Sequence, residues 1–266
     1  MTDWDDAYAN MAHVPGSEAL PGQWEADAAA YREGGVRIEE HAYGTHPRER
    51  LDMVWPDGKA KGLAVFVHGG YWIRLDKSLW THFAEGARAN GWAVCLAQYT
   101  LAPEARIAEI TQQVGRAIAF AAGLVGGPVR LAGHSAGGHL VSRMICDDTP
   151  LDGAVLDRLE HTLSISGLHD LRPLMWTAMN TDLRLDEAEA RQESAALHRP
   201  ETRANLTAWV GGGERPEFIR QAQLLATMWQ GLGAEVACVV DGAHNHFSVI
   251  DALKDPGSDL TRAFAP

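Results

Sequence analysis

Residues 129–139 read Val-Arg-Leu-Ala-Gly-His-Ser-Ala-Gly-Gly-His, and within them lies Gly133-His134-Ser135-Ala136-Gly137. A serine with a glycine two residues away on each side fits a sharp strand-to-helix turn. Such a turn exposes the hydroxyl and strains the serine's own backbone. Larger side chains at the flanking positions would strike the strand and the helix. The helix N-terminus behind the serine favours negative charge developing nearby. The chemistry this pattern suggests is attack on an acyl carbon, with Ser135 as the nucleophile.

Such a serine needs a base, an acid to orient the base, and donors for the oxyanion. The chain near its end reads Asp241-Gly-Ala-His244-Asn-His246-Phe247. A histidine on a loop before a last helix is where a base would lie. His246 is favoured over His244 because it directly precedes the helix. The pair also has the spacing of a zinc ligand set, but no third ligand of suitable spacing accompanies it, so no metal is expected. The acid should follow a late strand. Glu214, in Gly211-Gly-Gly-Glu214-Arg-Pro-Glu217, stands just past one, and Asp170, in Ser166-Gly-Leu-His-Asp170, is its rival. Glu217 falls on the following helix and should point elsewhere. The oxyanion donors are read from His68-Gly69-Gly70-Tyr71-Trp72, a glycine-rich loop after an early strand. The N–H groups of Gly70 (or of Gly69 or Tyr71) and of Ala136 are the candidates. His68 precedes the serine, whereas the base should follow it, so it reads as a brace for the loop. Tyr71 and Trp72 would either line the substrate pocket or pack beneath the loop. His134 adjoins the nucleophile and is placed to shape the pocket, while His139 reads as packing.

These residues need a scaffold that alternates strand and helix. Residues 36–43 and 50–54 predict an opening antiparallel pair, and the short apolar run 63–67 predicts a buried strand. Further strands are expected at 92–97, 129–132, 161–165, 206–210 and 235–240. Helices are expected at 22–32, 79–90, 107–124, 138–146, 216–230 and 247–253. Gly91 stands at a helix stop. The alternation predicts an α/β fold, a mostly parallel sheet with helices on both faces. With 266 residues, one domain is expected over 1–266. Residues 1–35 would form a Trp-rich N-terminal arm, and the polar excursion 170–203 a small cap or lid insertion.

A formal net charge of −12 disfavours nucleic acid and anionic membranes as partners. Three widely spaced cysteines, Cys95, Cys146 and Cys238, suggest reduced, mostly buried thiols rather than a disulfide framework. No secretory signal and no membrane-length apolar run is visible, so a cytoplasmic protein is expected. No cofactor is implied. A small-molecule substrate is expected, and exposed apolar surface would allow a homodimer. The nine tryptophans suit a pocket for flat or aromatic ligands.

His68-Gly-Gly-Tyr-Trp72 together with Gly133-His-Ser-Ala-Gly-Gly-His-Leu140 resembles the α/β-hydrolase-fold kynurenine formamidases (arylformamidases). Similar stretches are Asp6-Ala-Tyr-Ala-Asn10, Ser166-Gly-Leu-His-Asp-Leu-Arg-Pro173 and Glu214-Arg-Pro-Glu-Phe-Ile-Arg-Gln221, so the likeness spans nearly the whole chain. The resemblance implies Ser135 as nucleophile, Glu214 as acid (usually Asp in better-known members) and His246 as base. It also implies cleavage of an N-formyl aryl amide such as N-formylkynurenine to the aryl amine and formate. Because the wider group includes general esterases, a carboxylesterase acting on small acyl esters is the alternative. A non-catalytic ligand-binding homologue is a third reading. His41-Ala-Tyr-Gly-Thr-His46 faintly resembles the metal-dependent formamidases, but the further Asp and His they need do not follow.

Overall fold

In the computed structural model, which describes residues 2–201, 203–242 and 244–266, eight strands form one sheet. They are β1 (Ile38–Ala42), β2 (Arg50–Val54), β3 (Leu63–Val67), β4 (Ala93–Ala97), β5 (Val129–His134), β6 (Leu159–Ile165), β7 (Asn205–Gly211) and β8 (Glu235–Asp241). The spatial order is β1-β2-β4-β3-β5-β6-β7-β8. β2 pairs antiparallel with β1 and β4, and the other pairings are parallel. From β3 the chain moves to β4 on one side and then to β5 on the other. This reversal opens a crevice at the C-terminal ends of β3 and β5, where open α/β sheets place their ligands.

The strand runs are apolar because helices cover both faces of the sheet. Leu63, Val65 and Val67 of β3 join one apolar cluster, while Ala64 and Phe66 join the other. All five are at most 3% exposed, and burying each large one stabilises the fold by about 1.5–3 kcal/mol. β8 is one of the two edge strands, the other being β1. Cys238 lies exposed on β8, while Cys95 and Cys146 are buried, and all three thiols are free.

Several predicted helices change in kind or length. The segment predicted as a helix over 79–90 is a 3-10 run, Lys77–Ala84, followed by a short α-helix, Glu85–Ala89. Asp76 caps the run by accepting the Ser78 N–H. The helix after Ser135 spans Ala136–Arg143 rather than 138–146. The last predicted helix is a 3-10 segment, Ser248–Lys254, and Asp259–Phe264 adds a helix the periodicity did not suggest. Among the described residues no helix is long and apolar enough to cross a membrane.

The N-terminal arm packs against the 3-10 run Lys77–Ala84 and reaches β2. Its helix, Leu20–Glu33, sets Trp24 against Trp80 with ring centroids 5.0 Å apart. Arg32 donates to the buried Asp52 of β2 at 2.7 Å, and Lys77 donates to the same carboxylate at 2.8 Å. A carboxylate buried this deeply needs such partners. The described residues of segment 170–203 fold into short pieces, among them Arg172–Trp176, Asn180–Leu183 and Glu187–Gln192.

Candidate active site

Ser135 stands between β5 and the helix Ala136–Arg143 with φ 57° and ψ −117°. This left-handed backbone costs an L-residue on the order of 1–3 kcal/mol and persists only where its surroundings enforce it. The enforcement is visible. The Ser135 N–H donates to the Ile165 carbonyl at 2.8 Å. A Cβ at Gly133 would lie 2.1 Å from the Gly137 carbonyl oxygen, and one at Gly137 would lie 1.9 Å from that of Val67. Both contacts are to backbone, so no rotamer change relieves them.

His246, on the loop after β8, sets Nε2 3.1 Å from Ser135 Oγ and Nδ1 2.6 Å from Glu214 Oε2. Glu214 directly follows the glycines beyond β7. Its other oxygen accepts the Gly211 N–H at 2.8 Å and the Ser166 hydroxyl at 2.5 Å. An ionised carboxylate only accepts, so the imidazole must carry its proton on Nδ1. The Nε2 lone pair then faces the serine hydroxyl. His134 braces this arrangement by donating from Nε2 to the His246 carbonyl at 2.8 Å. Burial, together with the neighbouring His246, holds the His134 imidazole well below its usual pKa, so it stays neutral.

The rival residues lie elsewhere. Asp170 forms a two-pronged pair with Arg172, at 2.8 and 2.9 Å, and does not reach His246. His244 is turned toward Ser248 Oγ, 3.3 Å away. His68 donates from Nδ1 to the Gly69 carbonyl at 2.7 Å and stacks on Tyr99, and burial lowers its pKa to about 4.

The glycine-rich loop comes close to the serine. A Cβ on Gly69 would lie 2.9 Å from Ser135 Cβ. Gly70, Tyr71 and Trp72 all have positive φ, at 106°, 52° and 59°. Among the described residues, no acceptor meets the N–H groups of Gly69, Gly70 or Ala136. This twist sends the two rings in different directions. Tyr71 lines the cavity above Ser135, but Trp72 is fully buried and meets His139 edge-on at 5.1 Å. Trp72 is therefore a core residue and not a pocket wall, because the positive-φ turn points it beneath the loop.

The cavity holds about 450 Å³ and is mostly apolar, with Ser135 and His246 beside Tyr8, Trp24, Trp80 and Phe247. The arm supplies Tyr8, Asn10 and Trp24, whereas among the described residues of segment 170–203 only Met179 lines it. Arg74 also lines it, 5.9 Å from the Tyr71 ring, and its guanidinium has no ion pair among the described residues. Tyr8, Asn10, Trp24 and Arg74 escape a motif-based reading. The only signals for the first three are the tryptophan-rich arm and its Asp6-Ala-Tyr-Ala-Asn10 stretch, and Arg74 carries none.

Sheet order, the strand-to-helix turn at Ser135 and the histidine loop define a hydrolase of the alpha/beta hydrolase fold. The chain belongs to the alpha/beta hydrolase fold family, whose sequence profile matches residues 64–249. Kynurenine formamidase of Danio rerio is 28% identical over 235 residues, covering 83% of this chain and 78% of that protein. Kynurenine formamidase of Drosophila melanogaster is 22% identical, covering 86% and 80%. A Silicibacter sp. TM1040 crystal structure, provisionally called a thioesterase, is 43% identical, superposes with a TM-score of 0.94 and covers 99% of both chains. An esterase from Pyrobaculum calidifontis shares the fold, with a TM-score of 0.68 at 17% identity, covering 92% and 88%.

Proposed function

We propose that this hydrolase cleaves N-formyl aryl amides of the N-formylkynurenine type, releasing the aryl amine and formate through Ser135, His246 and Glu214. The observation that carries this reading is an activated serine at the floor of an aromatic-walled cavity. Flat rings can stack there, and the similarity to kynurenine formamidases agrees with it. Arg74 offers an unpaired cation for the carboxylate of an amino-acid substrate.

Ser135 Oγ attacks the formyl carbon while its proton passes to His246 Nε2. The carbonyl oxygen becomes an oxyanion and accepts the N–H groups of Gly70 and Ala136. Glu214 holds the resulting imidazolium. His246 then protonates the amide nitrogen, the C–N bond breaks and the amine departs. Water, deprotonated by His246, attacks the formyl ester. Formate leaves as the serine recovers its proton.

A second reading has the same machinery act on small acyl esters or thioesters. It is favoured by the 43% identical protein called a thioesterase. Turnover of N-formylkynurenine decides between them, with Ser135→Ala and chelator-treated protein measured alongside. Fast turnover that is lost in Ser135→Ala and spared by chelator supports the formamidase. No turnover, with brisk cleavage of short-chain aryl esters, moves the function to esterase.

A further inference from the structure

Asn10 begins the 3-10 turn Asn10–His13 of the arm and is 5% exposed. The orientation of its amide follows from its neighbour. The Tyr71 hydroxyl lies 2.6 Å from the Tyr8 carbonyl, which can only accept, so the phenol proton is committed there. Tyr71 Oη can then only accept from Asn10. The Asn10 atom 3.2 Å away must be Nδ2, and Oδ1 is the other end of the amide. That Oδ1 is buried and has no partner among the described residues. Unpaired buried acceptors are uncommon and call for an explanation.

Its position suggests one. A smaller polar cleft of about 250 Å³ lies beside Glu214 and Arg215. Asn10 and His246 are the two residues that line both spaces. Asn10 therefore stands on the wall of the cavity that holds Ser135 and His246.

An amide nitrogen differs from an ester oxygen at this step. The nitrogen carries a hydrogen and one lone pair, and that lone pair must point at the proton on His246 Nε2 before the C–N bond can break. Its hydrogen must then point elsewhere and find an acceptor. An ester oxygen has no hydrogen to place. Resting on the formamidase reading, we propose that Asn10 Oδ1 accepts the N–H of the scissile amide. Asn10 thereby aims the nitrogen lone pair at His246 and acts as the positioning residue that favours amides over esters.

The test uses a pair of substrates with the same formyl group, formanilide and phenyl formate, on the full chain. Asn10→Leu is expected to lower kcat/KM for formanilide about 10- to 100-fold, the size of one lost buried hydrogen bond, with phenyl formate within about threefold. Asn10→Asp keeps an oxygen in place but cannot donate to Tyr71. It should preserve the amide-to-ester ratio within about threefold of wild type. An equal fall on both substrates in both variants would mean that Asn10 only docks the arm, and would overturn the proposal. If the wild-type protein cleaves only the ester, the formamidase reading falls by itself, and inhibition of ester turnover then decides. In that case 2-aminoacetophenone should bind about tenfold tighter than acetophenone, and Asn10→Leu should abolish the difference. Equal binding of the two ketones by wild type would overturn the assignment.

Discussion

The turn around Ser135 and the N-terminal arm meet in one cavity but are built by opposite means. At the turn, the conformation is fixed by backbone within a few residues and by the neighbouring strand: Gly133 against Gly137, Gly137 against Val67, Ser135 N–H on Ile165. The arm is held by side chains from distant parts of the chain. Tyr71 donates to the Tyr8 carbonyl, Tyr8 Oη donates to Glu217 at 2.8 Å, Arg215 pairs with Asp6, and Asp5 accepts the Ala178 N–H. Steric necessity leaves almost no freedom, whereas single polar contacts are worth about 0.5–1.5 kcal/mol each and can be exchanged. The turn that carries Ser135 is thus rigidly specified, and the arm's wall of the cavity is adjustable.

The sharpest break of this contrast is Glu214→Gln. It keeps the shape but removes the charge that orients His246, and kcat on any substrate should fall about 10²- to 10⁴-fold. Asp170→Asn, measured in parallel, should leave kcat within about threefold. An equal loss from Asp170→Asn would reassign the acid. Next comes Gly137→Ala, whose added carbon meets Val67 backbone at 1.9 Å. A loss of about 3 kcal/mol or more in urea unfolding is expected, and a near-neutral result would show that the turn can yield.

Acid should also act on the turn region. Burial lowers the pKa of His68 to about 4 and of His139 and His169 to about 3, so all three are neutral when folded. The unfolded chain binds their protons near the usual histidine value of about 6.5. Above that pH they cost nothing. As pH falls from about 6.5 toward these folded values the unfolded state gains protons that the folded state refuses, and stability drops. Unfolding free energies from denaturant titrations should decline from pH 7.5 through 6 to 5, by at most about 2 kcal/mol per histidine at pH 5. A flat profile would mean that these rings protonate in place.

The smallest change is expected from Tyr71→Phe, which releases the arm's contacts to Tyr8 and Asn10. KM for an aromatic substrate should rise about three- to tenfold while kcat for a small ester stays level. A fall in kcat on both the aromatic substrate and the small ester would place Tyr71 in the reaction centre instead.

This division also explains which parts of the molecule were legible. The serine turn, the glycine loop and the late histidine leave short signatures, because their constraints act between near neighbours in sequence. The apolar strand runs were legible for the same reason. Glu214 was inferred from its place after a strand, and the structure brings its carboxylate to His246. Trp72 was ambiguous because its direction depends on two positive-φ residues that composition does not announce. The 3-10 character of Lys77–Ala84 was also hidden, since apolar spacing there resembles an α-helix. Tyr8, Asn10 and Trp24 left only a faint mark, since their partners stand far along the chain.

That distance bears on how the molecule is made. Tyr8 and Asp6 each bond a residue 209 positions later. At roughly 5–20 residues per second, a ribosome places on the order of 10–40 seconds between the two halves of each contact. Throughout that interval the arm has been synthesised but has no Arg215 or Glu217 to grip. The arm's side of the cavity is thus translated well before the residues that hold it in place.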